Sequence, residues 1–437
     1  MIHSPVFEML LKYGKKNTER FHMPGHKGKD ILFGGVGADL VNLDVTEIDD
    51  TDNLLNPKGA FREAMHLMEK RAKSRKSYFL TGGATEGNHT MIMALLKEGD
   101  KVLVDRFCHI SVFSALSFSG ATPAYIENSF AHRGGVLGCV KYEDVKKAVE
   151  ENPDAKAVFI TSPNSFGFTA PLREISLLCK KHNMLLLTDE AHGAHYPYCD
   201  ILPESAVEQG ADASVVSFHK TMPSLTQSAV LHIGNSGICP KIEETLHMLM
   251  TSSSSFLIAA SIDYGRAYME EYGDEKIRKL AKIIRENRPH NVLLTDDILR
   301  ICAAVDGEKY ISLFRENGIE PEMFGKGFAV FIVTVADDEE KVLKLLNLLK
   351  TLPETDYGET LPPEAEIKIT PRQAYLSEGE EISLDMAEGR VLKKAIYAYP
   401  PGVPCAAPGE VLSGDMIKYI KERNLEGEEK GRVWCVK

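Results

Sequence analysis

Four short stretches of this chain carry residue types that could share one chemistry. Thr81-Gly82-Gly83-Ala84-Thr85-Glu86-Gly87-Asn88 is a glycine-rich turn leading into a helical pattern that runs to Lys97. Such a turn at a helix N-terminus offers unpaired backbone N–H groups and the positive end of the helix dipole, which suits a phosphate. Asp189-Glu190-Ala191-His192-Gly193-Ala194-His195 supplies carboxylates and two imidazoles, and Ser217-Phe218-His219-Lys220 supplies an amine with polar neighbours. His109, in Asp105-Arg106-Phe107-Cys108-His109, adds an aromatic plane.

Each stretch also has a plainer reading: Thr85 as a helix N-cap, Lys220 as a solvated strand-end lysine, His109 as an ordinary partly buried histidine. Together they meet one demand. Pyridoxal phosphate needs a phosphate cup, a carboxylate against its ring nitrogen, a stacking ring and a lysine that forms an imine. Gly83 to Asn88, Asp189, His109 and Lys220 can supply these in turn. Alternation along an extended chain puts Ser217 and His219 on one side as phosphate ligands. The apolar flanks of Lys220 imply partial burial, which lowers a lysine pKa and favours the reactive free amine.

Rival motifs lack support. No Gly-Lys-Ser/Thr follows the glycine turn, so it is not a nucleotide phosphate loop, and Asp189-Glu190-Ala191-His192 then carries no helicase reading. Asp189, His192 and His195 lie within seven positions and include metal-ligating types, but the HExxH spacing is absent, and no metal site is expected.

The elements that must position these residues can be read from periodicity. Helical patterns at Asp144–Asn152 and Leu172–Asn183 alternate with apolar runs at Ala157–Thr161 and Met184–Thr188, and further strand-like runs cover Ala213–Phe218 and Ser228–Ile233. This alternation predicts a mostly parallel sheet with helices on both faces. Ligands in such sheets bind beyond the carboxyl ends of strands, where Asp189 and Lys220 fall. A long helical stretch is expected from Pro240 towards Asn291, then a strand at Phe328–Thr334 and a helix at Asp338–Leu352. The expected division is an N-terminal arm (1–45), a large cofactor-binding domain (46–295) and a smaller α+β domain (296–437).

Composition narrows the class. A chain of 437 residues, 43% hydrophobic, can bury two or three domain cores and is not disordered. Fifty-one Lys and Arg against 63 Asp and Glu leave a net charge of −12, which argues against nucleic acid or an anionic membrane as partner and suits a cationic small molecule. Eight cysteines without a CxxC pair indicate neither zinc nor a disulfide framework. No basic leader precedes an apolar stretch, and no run approaches the roughly 18 apolar residues of a membrane span, so a cytoplasmic protein is expected.

The motifs, in their order, resemble the Orn/Lys/Arg decarboxylases of the type I pyridoxal phosphate fold, in particular the short bacterial arginine decarboxylase-like branch. The resemblance begins at Phe21-His22-Met23-Pro24-Gly25-His26-Lys27 and continues through Asp44-Val45-Thr46-Glu47 and Asp52-Asn53-Leu54. The stretches quoted above come next, followed by Ser224-Leu225-Thr226-Gln227-Ser228, the run from Thr251 to Ser255, and Tyr399-Pro400-Pro401-Gly402-Val403-Pro404. Departures from the family pattern are Asn164-Ser165-Phe166 before Gly167, Phe107 and Ile110 near His109, and Phe218. None removes a catalytic group, though these positions bear on substrate choice.

The resemblance implies that Lys220 forms the imine, Asp189 partners the ring nitrogen, His109 stacks on the cofactor, and His192 lies near cofactor and substrate. It implies phosphate ligands at Gly83, Ala84, Thr85, Ser217 and His219, and a contact from Ser254 to a neighbouring subunit's phosphate, hence at least a homodimer with shared active sites. Decarboxylation of a basic amino acid follows, arginine to agmatine first, in polyamine metabolism, with lysine or ornithine next. An aminotransferase or other lyase on the same fold is the rival. Reprotonation falls to His192, Lys220 or water, and the acidic stretch Glu47, Asp49, Asp50 and Asp52 is either the site for the substrate's distal cation or a solvated loop.

Overall fold

The computed structural model describes residues 2–16, 37–127, 131–355, 363–398, 402–422 and 431–437, together with Arg20, Met23, Pro24, His26, Lys27, Lys29, Tyr357 and Gly358. Phe21, His22, Gly25, Tyr399, Pro400 and Pro401 of the quoted motifs lie outside the described residues.

The early elements are α1 (Pro5–Gly14), α2 (Ala38–Leu43), α3 (Ala60–Ala72), β1 (Lys76–Leu80), α4 (Gly83–Leu95), β2 (Lys101–Asp105), α5 (Ile110–Ser119) and β3 (Thr122–Ile126). A small hairpin, β4 (Ala131–His132) and β5 (Val136–Leu137), precedes α6 (Tyr142–Glu151), β6 (Ala157–Thr161), α7 (Leu172–Lys181) and β7 (Leu185–Asp189). Then come β8 (Ala213–Ser217), α8 (Phe218–Thr221) and β9 (Ala229–Ile233).

These strands form a seven-stranded sheet in the order β1-β9-β8-β7-β6-β2-β3, in which β9 alone runs against the rest. All residues of β8 and β9 are buried, as a strand covered on both faces requires. On α6, Val145, Ala148 and Val149 face inward, and on α7, Leu172, Ile175, Leu178 and Cys179 do. That is the helical spacing read from the sequence.

Helix α4 sits hard on the sheet. A Cβ on Gly87 would lie 2.3 Å from Val215 Cγ2 of β8, so a glycine is needed there. Helix α1 is tied to a later element by Asp263, whose carboxylate accepts from Ser4 Oγ (2.8 Å) and Val6 N (2.9 Å).

The helical stretch expected from Pro240 to Asn291 is two helices, α9 (Cys239–Leu249) and α10 (Phe256–Asn287). The serine run between them explains the break. Serine hydroxyls compete for backbone groups, and Ser255 Oγ accepts from Ile258 N as the N-cap of α10.

A three-stranded antiparallel sheet follows, β10 (Arg300–Ala303), β12 (Phe328–Ile332) and β11 (Met323–Gly325), with α11 (Gly307–Glu316) and α12 (Glu339–Lys350). Its apolar residues join the cores on both faces of the large sheet, one of which extends through Leu352 and takes in Ala407, while Leu384, Leu392, Ile420 and Cys435 belong to a separate core. That last module carries α13 (Pro371–Leu376), α14 (Gly414–Glu422) and paired short strands such as Gly379–Ser383 with Arg432–Val436. Among the described residues no helix is long and apolar enough to cross a membrane.

Candidate active site

A cavity of about 640 Å³ opens at the carboxyl ends of the parallel strands, and the residues with chemical potential converge on it. Gly83, Ala84, Thr85, His109, Asp189, His192, Ser217, His219 and Lys220 all line it. Each comes from the end of a strand or the start of a helix, where topology brings distant sequence together.

The glycine turn forms the N-terminus of α4. Gly83 has φ +77°, a conformation that favours glycine, and Gly82 before the helix offers no side-chain cap. Glu86 takes the Gly82 N–H (2.9 Å), and the backbone of Gly83 to Thr85 faces the cavity at the positive end of the helix. Such a glycine cradle and its donors fit a phosphate.

Asp189 ends β7 and is 3% exposed. Its carboxylate accepts from Asn88 Nδ2 (2.8 Å) and from Ala191 N (3.0 Å). Asn88 Nδ2 also reaches Ser111 Oγ (3.0 Å), which lies 2.8 Å from His109 Nδ1. His109 is the N-cap of α5, accepting from Ser111 N, so its ring is oriented by its own helix. Burial pushes its pKa down. A buried carboxylate and an imidazole plane joined through Asn88 and Ser111 match the needs of a protonated heteroaromatic ring.

Strand alternation does not reach His219 as expected. The strand β8 stops at Ser217 and α8 turns at once, with Met222 N donating to Phe218 O. His219 Nδ1 instead bonds Ser228 O at 3.1 Å, and burial lowers its pKa. Both Ser217 and His219 nevertheless border the cavity, brought there by the turn rather than by pleat.

Lys220 lies in the same turn, with Nζ 3.1 Å from His192 Nε2. Burial pushes the lysine pKa down, Asp189 opposes that, and the Arg300 cation adds to it. The imidazole of His192 is driven well below its ordinary pKa by burial and by the Lys220 and Arg300 cations. An amine shifted in this direction is more readily available as a nucleophile than an exposed lysine.

The Asp189, His192 and His195 trio does not gather as metal ligands. His195 Nε2 faces Asp297 (3.3 Å), and His192 is bracketed by Lys220 and Arg300. Ser254 is buried between α9 and α10, donating to Thr251 O (3.0 Å), and does not line the cavity of its own chain.

Of the two readings of the acidic stretch, the distal-cation site fails in this chain's own cavity, while Asp49 and Asp50 are exposed as a solvated loop would have them. None of Glu47, Asp49, Asp50 and Asp52 lines the cavity. Asp50 pairs with Lys16, while the Asp52 carboxylate accepts from the backbone N–H groups of Asn53, Lys58, Gly59 and Phe61 and so secures the start of α3. Its job is to satisfy orphan helix donors.

Sequence reasoning missed Glu308 and Glu322, which line the cavity from the segment around the small sheet, and Tyr419, which reaches it from α14. It placed Asn88 in the phosphate cup and missed its hydrogen bond to Asp189, and it missed Arg300. For Asn88 a signal existed, since it stands four residues after Ala84 on the same helix face. Arg300 and Glu322 lie far along the chain with no local motif.

Comparison with known proteins follows the same line. Residues 4–303 match the family described as Orn/Lys/Arg decarboxylase, major domain, and residues 357–428 match its C-terminal domain. The chain belongs to the Orn/Lys/Arg decarboxylase family. The arginine decarboxylase of Bacillus anthracis is 32% identical over 97% of this chain and 93% of its own length. The lysine decarboxylase LdcF of Francisella novicida superposes with a TM-score of 0.82 at 17% identity, covering all (100%) of this chain and 81% of that one. A structure of SPT with PLP gives 0.53 at 15% identity, over 67% of this chain and 75% of that one. The fold of this family member is accordingly the type I pyridoxal phosphate fold, with a mostly parallel central sheet and a smaller C-terminal part.

Proposed function

We propose that this decarboxylase binds pyridoxal phosphate and converts arginine to agmatine and carbon dioxide. The observation that carries the reading is the desolvated Lys220 amine, 3.1 Å from His192, in a cavity that also holds Asp189 and the uncapped start of α4. Gly83, Ala84, Thr85, Ser217 and His219 would hold the phosphate, Asp189 the ring nitrogen, His109 the ring face, and Lys220 the attachment point. When bound, the cofactor supplies an electron sink for the pair left on the α-carbon as carbon dioxide departs.

The rest falls to the chain's own residues. Asp189, fixed by Asn88 and the Ala191 N–H, sets its carboxylate where a ring proton must be held. Glu308 and Glu322 offer carboxylates to the distal cation of a basic substrate. Tyr419 and Val403 to Cys405 add cavity wall from the C-terminal part of the chain. Lys220 Nζ and His192 Nε2 are the proton-carrying atoms placed to return a proton to the α-carbon.

Arginine is placed ahead of lysine or ornithine because the similar Bacillus anthracis protein is an arginine decarboxylase over nearly its whole length. Assembly at least as a homodimer, with Ser254 reaching the partner's phosphate site, a cytoplasmic location and a place in polyamine biosynthesis belong to the same proposal.

The test is an absorbance spectrum of the purified protein with added pyridoxal phosphate, beside Lys220→Ala, while arginine, lysine and ornithine are supplied and amine and carbon dioxide assayed. A visible band lost in Lys220→Ala, with agmatine formed from arginine, is the expected result. A band without any amine would replace decarboxylation by transamination or another lyase reaction. No band at all would overturn the cofactor assignment.

A further inference from the structure

Arg300 opens β10, and its side chain is almost wholly buried (2% exposed). A guanidinium in such a place is costly unless it has work to do. Its side chain reaches His192 Nδ1 through Nη2 at 3.2 Å, and its Nε and Nη1 find no acceptor among the described residues. The backbone holds the residue firmly: Arg300 N donates to Asp297 O (2.9 Å), and Thr295 Oγ1 donates to Arg300 O (3.1 Å). Gly167 makes room for it, because a Cβ there would lie 2.6 Å from Arg300 Cβ.

The hydrogen-bond chemistry of this contact has one solution. A guanidinium donates and never accepts, so Nδ1 of His192 must be the bare nitrogen. A neutral imidazole then carries its proton on Nε2, and that atom faces Lys220 Nζ at 3.1 Å. The lysine in turn must accept, which an ammonium cannot do and a free amine can.

We propose that Arg300 is a positioning residue that fixes the tautomer of His192 through Nδ1, so that Nε2–H points at Lys220 and holds that lysine as a free amine. The inference rests on the proposed role of Lys220, and it does not depend on which amino acid is the substrate. Removing the donor frees Nδ1, lets the proton change sides and turns Nε2 into an acceptor that suits an ammonium. The charged and titratable groups acting on His192 are Lys220, Arg300, His109 and His195; those acting on Lys220 are Asp189, Arg300 and Glu322; those around Arg300 include Asp297, Tyr196 and Glu322. Deleting Arg300 leaves Asp189, Asp297 and Glu322 less opposed, so both His192 and Lys220 gain protons more readily.

Three measurements on the full chain test this. In cofactor-free protein, the rate at which Lys220 is acetylated by acetic anhydride near pH 8 is read by mass spectrometry. Arg300→Met is expected to slow it about tenfold, and Arg300→Gln, which keeps a donor but no charge, is expected to slow it less. In the loaded enzyme Arg300→Met is expected to lower kcat by about tenfold to a hundredfold. KM should change little, and a new ionisation should appear on the acid limb of the pH profile. The third measurement reads the wild-type chain and does not depend on Arg300 variants: nitrogen-15 NMR of ring-labelled histidine, with a folded His192→Gln giving the assignment. A proton on Nε2 and none on Nδ1 is expected. A proton on Nδ1, or unchanged Lys220 acetylation and an unchanged pH profile in a folded Arg300→Met, would overturn the proposal. A wild-type chain that shows no absorbance band with added pyridoxal phosphate would overturn the cofactor reading alone.

Discussion

The C-terminal module is joined to the loop bearing His109 by a buried ion pair, Arg106 Nη2 to Glu410 Oε2 at 2.9 Å, with side chains 4% and 2% exposed. Arg106 also donates to Pro404 O (3.1 Å) and Cys405 O (2.9 Å), and Ile110 N donates to Gly402 O (2.9 Å). At 2.9 Å and an effective dielectric of about 20, the Coulomb attraction is roughly 6 kcal/mol. Most of that offsets desolvation of the two ions, yet removing one partner strands the other and costs about 3–5 kcal/mol.

Glu410→Gln keeps the shape and leaves Arg106 its two carbonyls, so the lower end, about 3 kcal/mol, is expected. Arg106→Met strands Glu410 and should cost more. The double variant should fall short of the sum by about 2–3 kcal/mol, because the second removal relieves the first. Trp434, the chain's single tryptophan, sits in the last strand of this module, so urea unfolding read by its fluorescence reports on the affected part. The same variants should retain pyridoxal phosphate less well, since Phe107 and His109 belong to the tethered loop. A Glu410→Gln midpoint within about 0.5 kcal/mol of wild type, or strict additivity in the double variant, would refute the reasoning.

Three further outcomes can be checked. Gly87→Ala drives a methyl into Val215 and should destabilise by about 1–3 kcal/mol in thermal unfolding, partly relieved when Val215→Ala is added. Burial pushes the Glu190 carboxyl from its ordinary 4.5 up to about 8, so the folded chain holds a proton that the unfolded chain gives up in that interval. Stability should therefore fall as pH rises from about 5 towards 9, while Glu190→Gln flattens the slope and gains roughly 4 kcal/mol on wild type by the end, measured by urea unfolding at each pH. Glu322→Gln should raise KM for arginine about tenfold or more and alter kcat less; an unchanged KM would shift distal recognition to Glu308.

The apolar runs that become β6 to β9 and the helical faces of α6 and α7 were legible because burial on both sides of a parallel sheet writes a local pattern of period and hydrophobicity. Asp189 and Lys220 were legible for the same reason, since each stands where a recognisable strand ends. Where the reading went astray, local pattern competed with hydrogen bonding: the serine run divided one expected helix, a single helical turn replaced pleat at His219, and backbone donors of α3 claimed Asp52.

Which residue types are available for the chemistry, and which strand ends carry them, can be read along the chain. Who their neighbours are comes from packing. Arg300 meets His192 from 108 residues away, and Glu410 meets Arg106 from 304 away. Such contacts leave no period or spacing in the chain, because they follow from how separate elements pack, and packing is decided by the whole fold at once.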